Sequence, residues 1–323
     1  MQRKALEGRP WDTNLILTLH DRLHGLHKQR SSLSGRIKIL LYSYNKARDL
    51  ERTLESLFAS DMGDAQAIVL DNGSTDGTGD MLRSWQERLG EVKLRIIGLP
   101  VNVGAPAARN WLKHLPEVRS ADWAAYLDDD VILPRDWLGG LAAAVELHPA
   151  AGVWGCKTVD DEAPLRIQIP DTHLIYAPSN LQSPFSVSSL QAGSLDYGQF
   201  DYMRPCAHVT GCCHLFSGPS LRDSADFDLR FSPSQCDDID HDLQLLLAGK
   251  QVVYTGHVAV RHVRSSGRLV RLSTEQMARV SANFYKLKSK YDAGRVQALK
   301  KFHLGGLESD FMLKRRTLRG MLG

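Results

Sequence analysis

The 323-residue sequence predicts an α/β fold: a mainly parallel sheet flanked by helices, with helical extensions at both ends. Three observations predict it. Short apolar runs alternate with amphipathic helical stretches between residues 36 and 147, polar turns rich in Asp, Asn and Gly follow directly on several of those runs, and helical periodicity marks both termini. Repeated βα alternation joins parallel strands through helical crossovers, and ligands of such sheets gather beyond the carboxyl ends of the strands.

The first extension spans residues 1–35, with Leu15, Ile16, Leu19, Leu23 and Leu26 at helical spacing and Ser31 to Gly35 as punctuation. The central unit spans 36–264. Its strand and helix pairs are Ile37 to Ser43 with Leu50 to Phe58, Ala67 to Leu70 with Gly79 to Leu89, Leu94 to Ile97 with Ala105 to Leu115, and Trp123 to Leu127 with Trp137 to Leu147. Residues 158–205 are polar, rich in Pro and Ser and without sustained period, which predicts an excursion of loops and short strands that shapes a substrate site. Val252 to Tyr254 and Val258 to Val260 read as two late short strands. The last extension, 265–323, is helical and basic, carrying Lys286, Lys288, Lys290, Lys300, Lys301, Lys314, Arg315, Arg316 and Arg319. Such a face suits solvent or peripheral contact with an anionic membrane surface.

Bulk composition is that of an ordinary globular protein, 43% hydrophobic and 24% charged, and a net charge of +3 is too small to imply nucleic-acid binding across the whole surface. Five cysteines without a Cys-x-x-Cys pair indicate buried reduced thiols, neither a disulfide framework nor a structural zinc site. No secretory signal or membrane-length apolar run is evident, so the expected location is the cytoplasm or the inner face of a membrane.

The most informative cluster is Asp128, Asp129 and Asp130, directly after the apolar run Trp123 to Leu127. Carboxylates crowded at the end of a buried strand repel one another and lose hydration, so a positive partner, usually a divalent cation, is required. A second cluster, Asp71-Asn-Gly-Ser-Thr-Asp-Gly-Thr78, closes another strand, and its Gly73 and Gly77 let backbone amides approach a ligand. A third, Asp237-Asp-Ile-Asp240, opens a helix whose positive dipole end favours carboxylates such as Asp240 and Asp242.

Taken in order, Tyr42-Ser-Tyr-Asn45, Leu70-Asp-Asn-Gly-Ser-Thr-Asp-Gly-Thr78, Asn102-Val-Gly104 through Ala108-Arg-Asn110, Leu127-Asp-Asp-Asp130, Gly211-Cys-Cys-His-Leu-Phe216, Phe227-Asp228 and Asp237-Asp-Ile-Asp240 resemble glycosyltransferase family 2. The likeness runs from about residue 36 to residue 264. It implies a GT-A fold, a nucleotide-sugar donor, a divalent Mn²⁺ or Mg²⁺, and inversion at the anomeric carbon during transfer to a glycan or other hydroxyl acceptor. Under that resemblance Asp130 and His262 are the metal ligands. Asp128 reaches the donor ribose or a metal-bound water, and Asp129 lies between them on the donor side. Asp71 and Asn72 read the base, and a carboxylate that can accept the N3 hydrogen favours a UDP- or dTDP-sugar. Tyr42 and Tyr44 flank the base and Arg109 meets the diphosphate. Asp238 is the general base and Asp237 positions it or the acceptor. Cys212 and Cys213 are assigned to packing, because an inverting transfer needs no enzyme nucleophile.

Other classes fit less well. A nucleotidyltransferase calls for a Gly-rich basic phosphate loop, whereas Tyr42 to Arg48 lacks glycine. A non-catalytic sugar-nucleotide-binding protein does not require Asp237 and Asp238, yet both are present. Gly-x-Gly-x-x-Gly is absent after the first strand, against a dinucleotide oxidoreductase, and the basic tail lacks an aromatic-basic RNA signature.

Overall fold

The computed structural model describes residues 8–9, 11–176, 185–189, 191–263 and 273–322. The boundary read at residues 264–265 lies outside them. Twelve strands are formed among the described residues: β1 (Ile37–Ser43), β2 (Gln66–Asp71), β3 (Leu94–Gly98), β4 (Trp123–Leu127), β5 (Val131–Ile132), β6 (Ala151–Asp160), β7 (Ile167–Ile169), β8 (His173–Tyr176), β9 (Phe185–Ser188), β10 (Met203–Cys206), β11 (Cys213–Ser217) and β12 (Gln251–His262). The helices are α1 (Thr13–Leu23), α2 (Ala47–Phe58), α3 (Thr78–Leu89), α4 (Ala105–Lys113), α5 (Pro116–Arg119), α6 (Trp137–Leu147), α7 (Gly218–Asp223), α8 (Asp237–Leu247), α9 (Thr274–Lys290) and α10 (Ala293–Leu322).

The main sheet runs β10-β12-β6-β11-β4-β1-β2-β3, with β5 added to β12 and β7 to β6. Strands β3, β2, β1 and β4 are mutually parallel, as are β6 and β12. Between these two halves lies β11, antiparallel to both β4 and β6. Side chains alternate across the sheet. Leu40, Leu70 and Tyr126 therefore enter one core with Ala108 and Leu112 of α4, and Ile39, Leu41 and Val69 enter the other with Leu50 and Leu54 of α2. Each fully buried Leu or Val of this kind contributes about 1.5–3 kcal/mol.

Two departures from the sequence reading concern long strands. The runs at Val252 and Val258 belong to a single strand, β12, because a register shift between Thr255 and Ala259 accommodates the break in alternation without ending the pairing to β6. β6 itself, buried along its whole length, escapes the alternation pattern because a strand covered on both faces has no polar phase. The 158–205 excursion supplies the end of β6, then β7, the β8-β9 pair and the start of β10.

Both extensions pack on the sheet unit. Asp21 of α1 is fully buried and accepts hydrogen bonds from the Met203 backbone N–H at 2.7 Å, with His257 at 2.9 Å and His20 at 2.8 Å also against its carboxylate. Lys314 of α10 lies 3.8 Å away and donates to the Met203 carbonyl. Burial alone would raise the Asp21 pKa, but His20, His257 and Lys314 hold it well below the usual carboxylate range. A carboxyl depressed in the folded state stabilises in full above its unfolded pKa of about 3.9 and loses that contribution as pH falls through the folded value. Asp21→Asn is therefore expected to cost about 1–3 kcal/mol at pH 7. The gap should narrow in urea unfolding below pH 4, as wild type loses the same contribution.

Part of the basic tail is spent inward. Lys290 binds Asp228 at 2.7 Å and Asp240 at 2.6 Å, Lys286 donates to the Arg230 carbonyl at 2.7 Å, and Lys314 is buried beside Asp310 at 3.1 Å. These three cations hold the fold together, which leaves fewer for an outside surface. Among the described residues no helix is long and apolar enough to cross a membrane.

Candidate active site

Asp71 and the Asp128–Asp130 run lie at or just beyond the carboxyl ends of β2 and β4, with Tyr42 near the end of β1, where an open parallel sheet gathers its ligands. Ser43 at the end of β1 is paired with Asp71 at the end of β2, and Leu41 with Leu127 immediately before the aspartate run. The chain then doubles into β5, whose Val131 pairs with His262. That two-residue strand brings the distant histidine to the aspartates.

The three carboxylates have different surroundings. Lys46 Nζ lies 2.8 Å from Asp129 and 2.9 Å from Asp130, supplying a protein cation for the crowded run. Burial pushes the Asp129 carboxyl up to about 6 despite Lys46. Asp130 is buried as well, but His262 Nε2 at 3.0 Å and Lys46 hold its pKa down. Asp128 has neither partner and faces a cavity of about 420 Å³.

His262 is oriented from behind. Gln168 Nε2 donates to the His262 carbonyl at 3.0 Å, which turns Gln168 Oε1 toward His262 Nδ1 at 2.9 Å. With Nδ1–H donating to that oxygen, Nε2 is the ring nitrogen turned to the acidic cluster. The donor atoms of Asp128, Cys212 and His262 lie within 4.8 Å of one another, so this donor set fits a divalent cation.

Arg109 joins this cluster to the later aspartates. Its guanidinium is 4% exposed, 3.6 Å from Asp128 and 3.6 Å from Asp237, and lies over the rings of Tyr42 and Phe227. Those separations exceed hydrogen-bond length, and Arg109 Nε and Nη1 and Asp237 Oδ2 are buried without a hydrogen-bond partner. Buried N–H groups of this kind on a cavity wall are suited to an anion.

Asp237 and Asp238 begin α8 after Gln235 and Cys236, two non-glycine residues with left-handed backbone, φ 76° and 70°. Such residues persist only where surrounding structure over-determines them, and they cluster at functional sites. Asp238 accepts from the Gly211 N–H at 3.0 Å and from the Ile239 N–H at 2.9 Å. A Cβ at Gly211 would stand 2.5 Å from the Arg109 guanidinium and 2.9 Å from Asp238, so a side chain there would push these two groups aside. Behind Asp238, His208 Nε2 lies 3.8 Å away while its Nδ1 binds Asp242 at 2.8 Å. Burial would raise both carboxyls of the pair. His208, Arg109 and the two backbone donors bring Asp238 below its ordinary value, whereas Arg109 only partly offsets burial at Asp237, which stays raised.

Among the described residues the cavity brings together Tyr42, Arg109, Asp128, Asp237, Asp238 and His262. Val280 and Phe284 of α9 and Gln168 and Ile169 of the excursion complete its wall. Tyr44, Asp71, Asn72, Asp129 and Asp130 lie outside that lining. Tyr44 is exposed, and Asp71 accepts from the Ser74 N–H at 2.9 Å. Asn72 is committed to the fold: it donates to Asn102 at 3.0 Å and accepts from the Val103 N–H at 2.9 Å. Gly73, with φ 76°, permits that approach, since a Cβ would collide with the Val101 backbone. The sequence reading missed Lys46, Gln168 and His208, none of which carries a local signal, and gave Asp242 to the helix dipole, whereas it lies past the first turn and binds His208. Cys212, read there as packing, is buried on the cavity wall, and all five cysteines are free.

The chain is similar to known glycosyltransferases in sequence and in fold. Over 249 residues, 72% of this chain and 78% of the relative, the sequence is 25% identical to an N-acetylglucosaminyl-diphospho-decaprenol L-rhamnosyltransferase of Mycobacterium tuberculosis. It is 32% identical over 123 residues to a validoxylamine A glucosyltransferase of Streptomyces hygroscopicus subsp. jinggangensis, covering 37% of this chain but only 28% of that protein. In structure it resembles a mannosyltransferase from Pyrobaculum calidifontis solved with GDP-Man and Mn²⁺, at TM-score 0.57 and 15% identity over 98% of this chain and 84% of that one. A second likeness is to GalNAc-T7 solved with UDP, GalNAc and Mn²⁺, at TM-score 0.58 and 11% identity, covering 82% of this chain and 49% of that one. The family model for glycosyl transferase family 2 matches residues 39–223, more than half of the chain, and with the GT-A architecture it establishes that this protein belongs to glycosyltransferase family 2.

Proposed function

We propose that the protein is a metal-dependent inverting glycosyltransferase that moves a sugar from a nucleotide-diphosphate donor to an acceptor hydroxyl in glycan or polysaccharide biosynthesis. The observation that carries this reading is the position of Arg109. Its unpartnered N–H groups border a cavity with a metal-competent cluster on one side, Asp128 and His262, and an acidic pair on the other, Asp237 and Asp238.

Asp128 and His262, which line the cavity, would hold a Mn²⁺ or Mg²⁺ ion, with Asp130 beside them against His262 Nε2, and the ion supplies Lewis-acid neutralisation of the diphosphate leaving group when bound. Arg109 meets the same phosphates through its free N–H groups. Asp71 reads the base and Tyr44 borders it, while Asn72 places the loop instead of touching the base. Tyr42 stacks against Arg109 and fixes its plane. Asp238, ionised and held in place by two backbone donors, takes the acceptor hydroxyl's proton as that oxygen attacks the anomeric carbon. Asp237, more ready to stay protonated, positions the acceptor.

A uracil or thymine base suits the Asp71 carboxylate, and UDP- and dTDP-sugars are the first donors to test, with GDP-sugars alongside. Thermal unfolding with UDP, dTDP or GDP, each with and without Mn²⁺, should show stabilisation by one nucleotide that depends on the metal. Saturation at about 100 times Kd corresponds to about 2.7 kcal/mol. A flat response to all three would remove the donor-site reading.

A further inference from the structure

The cation site contains a sulfur atom that the mechanism above does not use. Cys212 opens the turn into β11, and the Asp128 N–H donates to its carbonyl at 3.0 Å, which fixes this turn against the aspartate run. Its side chain is 4% exposed, and Thr210 Oγ1 lies 3.2 Å from the sulfur. The sulfur is one of three donor atoms, with an Asp128 oxygen and a His262 nitrogen, that lie within 4.8 Å of one another, and all three residues line the same cavity. The Gln168 contact described above aims His262 Nε2 at this cluster.

Resting on the reading that this enzyme binds its donor with a divalent cation, we infer that Cys212 is a direct ligand of that cation, together with Asp128 and His262. Coordination replaces the S–H bond by a sulfur–metal bond and releases the thiol proton to solvent. The consequence is selectivity. An all-oxygen site accepts Mg²⁺ readily, whereas a mixed sulfur, nitrogen and oxygen set favours softer ions and disfavours Mg²⁺. The enzyme should therefore bind Co²⁺ or Zn²⁺ more tightly than Mg²⁺. Gln168 acts as a positioning residue for His262, which gives the irregular 158–205 excursion a hold on the metal.

Co²⁺ titration of the full chain, alone and with UDP or GDP added, tests this by absorption spectroscopy under reducing conditions. A sulfur-to-cobalt charge-transfer band in the near ultraviolet is expected for wild type and is lost in Cys212→Ser, while the visible cobalt bands persist in both. Gln168→Leu should retain the charge-transfer band but weaken Co²⁺ binding by about tenfold or more. Cobalt binding to wild type without the charge-transfer band overturns Cys212 ligation and leaves the donor-metal reading standing. The same band in Cys212→Ser also overturns it, because another cysteine must then supply the sulfur. No cobalt binding in any arm removes both.

Discussion

Replacing Asp238 by Asn is expected to lower kcat by about 10²- to 10⁴-fold, the usual contribution of a positioned general base, with nucleotide affinity unchanged. The carboxamide keeps the shape and one acceptor oxygen for the Gly211 N–H, so the start of α8 should survive. What it loses is basicity. The wild-type carboxylate is ionised at neutral pH because His208, Arg109 and two backbone N–H groups outweigh the burial that would raise its pKa. A base works above its pKa, so the acid limb of kcat/KM that Asp238 controls lies below the ordinary carboxylate range. Steady-state transfer assays paired with calorimetric donor binding separate the outcomes. Equal rates in wild type and variant would remove the assignment, and lost donor binding would move Asp238 to the donor side.

Arg109→Met is expected to cost about 3–5 kcal/mol of stability and to weaken donor binding as well. The reason is the charge left behind. Arg109 is the cation shared by Asp128 and Asp237 at 3.6 Å each, and Asp237 is 4% exposed with an oxygen that has no hydrogen-bond partner. In wild type the Asp237 carboxyl is already raised by burial, with Arg109 restraining the rise. Without that cation it rises further. A carboxyl raised in the folded state costs stability as pH climbs from its unfolded value of about 3.9 through the folded one, so the deficit of the variant should grow between pH 5 and pH 8. Urea unfolding at both pH values measures it. A deficit below about 1 kcal/mol at each would mean that the guanidinium only fills space.

Local patterns specify most of the βα elements between residues 36 and 147 and the residues at their ends, though not β6 or the continuity of β12. The alternation of apolar runs and amphipathic stretches, the Asp71 turn, the aspartate run after β4 and the paired aspartates at the head of α8 are short-range patterns, set by strand and helix periods of two and 3.6 residues. Those periods hold wherever the chain goes. Tertiary structure decided what each charge meets, because the partners are far apart in the chain: Lys46 and Asp129 by 83 residues, Gln168 and His262 by 94, Asp130 and His262 by 132. The antiparallel insertion of β11 and the short β5–β12 pairing bring Cys212 and His262 to the aspartates. The same folding turns Lys290 and Lys314 of the basic tail inward and gives Asp242 to His208. In each case burial makes the unpaired charge too costly, so the partner is selected by the three-dimensional packing of the buried interior, which no local period encodes.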